Sequence, residues 1–137
     1  MRQHTYLRAY MAGTIVPTIF LLFVMTGYCI LRYDYNFPVA VERIIVFPMA
    51  VVPNLWGLWN MLFVALRSRS PLSIGIHGAV LPILIGPLGF LLTRILDFPI
   101  PSFVWRSFSV GVAVALIAYY FAWKYLVGFL NRVQEIA

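Results

Sequence analysis

Two short charged segments hold three of this chain's four acidic side chains, Asp34, Glu42 and Asp97. Asp34-Tyr35-Asn36-Phe37-Pro38-Val39-Ala40-Val41-Glu42-Arg43 and Asp97-Phe98-Pro99-Ile100-Pro101-Ser102-Phe103-Val104-Trp105-Arg106 share the pattern Asp-x-x-x-Pro-x-x-Val-x-Arg. Every shared residue is displaced by 63 positions, from 34 to 97 and from 43 to 106. A carboxylate and a guanidinium so spaced can pair across a turn, hold an anion or a lipid headgroup, or anchor a helix start at a membrane boundary. Exposed ion pairs contribute only about 0 to 1 kcal/mol, so stability alone explains the motif poorly. Boundary anchoring is the reading favoured, and an outer-face binding site on Asp34, Arg43, Asp97 and Arg106 is the alternative.

Few other residues offer chemistry. His77, in Gly75-Ile76-His77-Gly78, has no carboxylate or second ligand near it in sequence, so packing is favoured over metal or haem ligation. Asn54 and Asn60 read either as hydrogen-bonding groups between helices or as the lining of a solute path or lipid groove. The single Cys29 can form no internal disulfide and no Cys-x-x-Cys redox pair. No Gly-x-Ser-x-Gly, phosphate-cradling loop or paired carboxylates at catalytic spacing are present. No catalytic residue, metal or cofactor is therefore assigned.

The elements that position these residues are set by composition. The chain has 137 residues, 63% hydrophobic and only 10% charged, against about 25% charged in a soluble domain. Its formal charge of +6 flanks apolar runs, which suits topology and contact with membrane lipid and not a nucleic-acid interface. Four apolar runs follow, roughly Ala9–Leu31, Ile44–Leu66, Leu72–Leu96 and Ser102–Leu130. Each is long enough to cross a hydrocarbon core of about 30 Å. The first is too long for a signal h-region and no Ala-x-Ala follows it, so it reads as an anchor.

The expected fold is a single all-α integral membrane domain of four transmembrane helices, arranged as two antiparallel hairpins. The connection Arg67-Ser68-Arg69-Ser70-Pro71 makes spans two and three neighbours. If the motif marks a duplication, the halves are related as a parallel repeat. With both termini cytoplasmic, Arg2, Arg8, Arg67, Arg69, Lys124 and Arg132 lie inside against Arg32, Arg43, Arg94 and Arg106 outside. The expected location is an inner or plasma membrane.

Periodicity assigns faces. At about 100° per residue, Gly75, Gly78, Ala79, Pro82, Gly86, Gly89 and Thr93 share one narrow arc of span three. Ser107, Gly111, Ala115, Ala118 and Ala122 form a similar stripe on span four, and such stripes let helix backbones approach closely. The expected consequence is a tight contact between spans three and four, or between copies of the protein. Pro48 and Pro53 should kink span two, whose Ala50, Pro53, Asn54, Gly57 and Asn60 lie opposite Leu55, Trp56, Leu58 and Trp59.

No Asp or Glu lies inside a span, which argues against a proton-coupled carrier. The resulting expectation is a non-catalytic membrane protein, a structural or accessory subunit of a homo-oligomer or of a larger membrane protein complex. The alternative is a small channel, solute carrier or lipid-binding protein with its path along the kinked second span.

Overall fold

In an apolar medium a backbone amide has no water to bond, so apolar runs of this length satisfy themselves by coiling into helices. The computed structural model describes residues 4–36 and 45–136. They form α1 (Thr5–Asp34), a π-helical stretch Ile45–Val51 continued by α2 (Val52–Leu66), and α3 (Ile74–Ile95). A short α4 (Ser102–Arg106) then precedes α5 (Phe108–Phe121), which runs through a second π-helical stretch, Ala122–Val127, into α6 (Gly128–Val133). Four helices, Thr5–Asp34, Phe47–Leu66, Ile74–Ile95 and Phe108–Val133, are long and apolar enough to cross a membrane. We number these spans one to four.

The ends of the spans are set by local chemistry more than by hydropathy. Ser73 opens span three, its hydroxyl accepting from the Ile76 amide at 3.4 Å as an N-cap does. At the other end Asp97 takes the left-handed conformation, with φ of 52°. Its amide donates to the Arg94 carbonyl at 3.3 Å, and that of Phe98 to the Thr93 carbonyl at 2.8 Å, which together form a Schellman cap. The chain terminus repeats the device. Glu135 has φ of 55°, its amide bonds Arg132 at 3.0 Å, and the Ile136 amide bonds Asn131 at 2.8 Å.

That second cap turns Ile136 back into the bundle, where it is buried with Ala9, Ala12 and Val64. The first residues, the connection between spans two and three and the last residues thus share one end, the terminal face. The Arg67 guanidinium donates to the Ile136 carbonyl and closes that face. The other end, the loop face, carries the last residues of spans one and three and the segment that follows span three.

Close packing depends on missing side chains. Gly13 and Gly57 meet across spans one and two; a Cβ on Gly13 would lie 2.9 Å from the Gly57 Cα, and one on Gly57 would lie 2.8 Å from the Thr14 methyl. Gly75 receives Tyr120, Gly78 receives Trp123, and Gly89 receives Phe47. The small-residue stripe of span three therefore does meet span four, but it meets aromatic side chains and not the second stripe. Apart from their own helix, no described residue comes within 4 Å of where a Cβ on Gly86 or Gly111 would be.

Trp123 sits in the π-helical stretch, where the wider turn rotates its side chain relative to a regular helix. It joins Trp56, Leu81 and Val127 in the central buried cluster. The π-helical stretch Ile45–Val51 contains Pro48, whose missing N–H accounts for the irregular ladder expected there. Trp56 departs from the face assigned to it by periodicity: it is 4% exposed, whereas Asn54 is exposed. Once spans one, three and four surround span two, its buried arc widens to include the indole.

Gly78→Ala should lower stability by about 1–3 kcal/mol, because Trp123 cannot remain in place beside a methyl. Gly86→Ala, with open space around it, should be neutral or slightly stabilising. Thermal unfolding followed by tryptophan fluorescence in one detergent checks both; equal midpoints for the two variants would show that the Gly78 notch is not filled.

Candidate functional site

A carboxamide buried among apolar side chains must find partners for its donors and acceptor or destabilise the fold by a few kcal/mol. Asn60 and Asn131 are both fully buried. They solve the problem jointly: Asn60 Nδ2 donates to Asn131 Oδ1 at 2.8 Å, and Asn131 Nδ2 donates to Asn60 Oδ1 at 2.9 Å. Asn60 Nδ2 also donates to the Ala9 carbonyl at 2.7 Å. Spans one, two and four are tied at one point.

His77 is paired with similar economy. The Trp59 indole nitrogen donates to the His77 carbonyl at 2.8 Å, and His77 Nε2 lies 3.0 Å from the Trp59 carbonyl. A carbonyl only accepts, so Nε2 carries a hydrogen. The imidazole stacks on Trp59 with centroids 4.8 Å apart, and Phe63 and Trp123 lie at 5.3 and 6.0 Å. Beside it, a cavity of about 40 Å³ is lined by Phe63, Leu66, Arg67, Ser70, Leu72 and His77. That is room for on the order of two or three waters.

Asn54 and Asn60, one turn and a half apart, have separate surroundings. Asn54 is exposed, donates to the Ala50 carbonyl at 2.6 Å and accepts from the Tyr10 hydroxyl. The two asparagines do not line a common surface.

The charged motif is divided as well. Arg43 lies outside the described residues, while Asp34 is exposed at the end of α1. Asp97 and Arg106 are exposed, and Asp97 shares an open cleft of about 700 Å³ with Arg94, Phe90 and Trp105, which Arg106 does not line. Among the described residues, no group of three or more His, Cys, Asp or Glu is placed to hold a metal ion.

Gly75, Gly78 and Gly89 are buried against aromatic rings, whereas Gly86, Gly111 and Ala118 face outward and Ala115 is half-buried. Three residues that matter here escape a reading of the sequence: Gly13, Trp123 and Asn131. Gly13 had a signal in the spacing of Ala9, Ala12, Gly13 and Pro17, all buried along one face of α1. Asn131 had none beyond being a polar residue at the end of an apolar run.

Protein-family models, curated proteins and solved structures contain no match to this chain.

Replacing either Asn60 or Asn131 by Leu strands its partner's amide, and each single variant should lose about 1–2 kcal/mol. The double variant Asn60→Leu/Asn131→Leu should lose clearly less than the sum of the two, since no amide is left stranded. Additive losses in a thermal or denaturant unfolding series would mean that the two side chains do not pair.

Proposed function

We propose that this chain is an integral membrane protein with both termini cytoplasmic, acting as a structural or accessory subunit in a homo-oligomer or in a larger membrane protein complex. The observation that carries this reading is the state of α5. It has no buried residue, and its small-residue face around Gly111, Ala115 and Ala118 receives nothing from Gly75 or Gly78, which take Tyr120 and Trp123 instead. A helix facing only lipid has no need of so little side chain, whereas a helix meeting another helix does.

The interior supports the same reading. Its buried amides are closed on each other and on Ala9, and His77 is closed on Trp59. Polar groups spent on holding helices together are what a scaffold needs. In the sequence, six basic residues flank the span ends nearest the termini and the middle connection, against four at the other ends, which supports the orientation.

Native mass spectrometry of the tagged protein, taken from its own membrane into lipid particles, tests the proposal. The expected result is a homo-oligomer or a stoichiometric complex, which Gly111→Leu weakens at least tenfold while leaving the thermal midpoint of the isolated chain unchanged. A monomer without partners, or an assembly indifferent to Gly111→Leu and Ala115→Leu, would remove this face from any interface.

A further inference from the structure

At the loop face, the end of α3 and the short α4 enclose an open cleft of about 700 Å³. Its walls include Phe90, Pro99, Ile100 and Trp105, and its two charged groups are Arg94 and Asp97. The Arg94 guanidinium is held 5.3 Å above the Phe90 ring, and Phe90 meets Trp105 edge-on at 6.1 Å. Neither Arg94 nor Asp97 forms an ion pair among the described residues. The cleft thus presents one cation and one anion that pair with no other charged group among the described residues, at the end of two spans.

Charge placement restricts the occupant. Asp97 is the capping residue of α3, so its carboxylate lies beside the negative end of the helix dipole. A purely anionic group would gain Arg94 but meet repulsion from Asp97 and the helix end. A simple cation would gain those two but meet repulsion from Arg94. A group carrying phosphate and ammonium together satisfies both.

The aromatic and proline-rich walls, and the position at the mouth of apolar helices, favour a lipid over a free solute. The helices on either side expose apolar side chains that acyl chains can cover, with Leu91 53% and Val110 68% exposed. We infer that this cleft binds a phospholipid whose headgroup bears an ammonium, such as phosphatidylethanolamine, with its phosphate on Arg94 and its ammonium between Asp97 and Trp105. The inference rests on the chain being embedded in a membrane and is independent of its assembly.

The test is native mass spectrometry of the full chain in detergent, titrated with palmitoyl-oleoyl phosphatidylethanolamine or with phosphatidylglycerol of the same acyl chains. One phosphatidylethanolamine should be retained at least tenfold more tightly than phosphatidylglycerol. Asp97→Asn, which accepts the left-handed backbone and keeps the cap, should abolish that preference, and Arg94→Gln should weaken both lipids. Soluble phosphoethanolamine at the same concentration should leave the lipid bound.

Equal retention of the two lipids by the unaltered chain, or an undiminished preference in Asp97→Asn, would overturn the proposal. Displacement by phosphoethanolamine would overturn the lipid as occupant. The same spectra report assembly mass, so a monomer that keeps its lipid preference contradicts the subunit reading alone, and an assembly without preference contradicts the lipid site alone.

Discussion

The structure depends on a buried carboxamide that has nowhere to bond except another part of the same chain. Asn60, fully buried in span two, exchanges two hydrogen bonds with Asn131 and reaches the Ala9 carbonyl. Apolar packing alone is indifferent to small rotations and slides of one helix on another. A reciprocal amide pair is not, because its hydrogen bonds weaken steeply with distance and angle. The pair therefore sets the depth and rotation of span four against spans one and two. Asn131 is also the residue whose carbonyl accepts from Ile136, so the same residue positions the capped terminus that Arg67 closes.

Shape does the rest, through glycines that admit other groups. Spans one and two come together at Gly13 and Gly57, and spans three and four at Gly75 and Gly78, giving two hairpins. Between the hairpins lies a layer of large rings, Trp56, Trp59, His77, Tyr119 and Trp123. The Trp123 indole nitrogen is buried with no hydrogen-bond partner, a cost of about 1–3 kcal/mol. Its retention is explained by fit: a ring seated on Gly78 contacts several neighbours at once, and the π-helical stretch aims it there.

The four apolar helices were legible in the sequence because their lengths and compositions admit no other reading. Their ends were less so. α1 begins at Thr5 and runs to Asp34, beyond the hydrophobic limits Ala9 and Leu31, because helix continues until a cap or a left-handed residue stops it. The motif repeat also looks different in three dimensions. Among the described residues of the two motifs, the left-handed ones are Asn36 and Asp97, 61 positions apart (97 − 36), a spacing that differs from the 63-residue offset of the shared letters. Periodicity found the glycine stripe of span three and its contact with span four but not the rings that enter it, since small residues imply close approach without saying what approaches. It also set Trp56 opposite Asn60, yet both are buried, because one helix cannot reveal how many others surround it. Asn131 was invisible for the same reason: its significance lies in Asn60, 71 residues away.

The functional reading follows from this division of labour. The interior polarity is consumed in holding helices together, the small-residue face of α5 is left open at Gly111 and Ala118, and Arg94 and Asp97 stand at the loop face without a charged partner among the described residues. All of it rests on the register that the asparagine pair imposes. Solid-state NMR of asparagine-labelled protein in bilayers tests that pair directly. The account predicts a cross-peak between the Asn60 and Asn131 side chains, with their amide hydrogens protected from exchange with deuterated water. Absence of that cross-peak, with both amides exchanging as freely as that of the exposed Asn54, would contradict it.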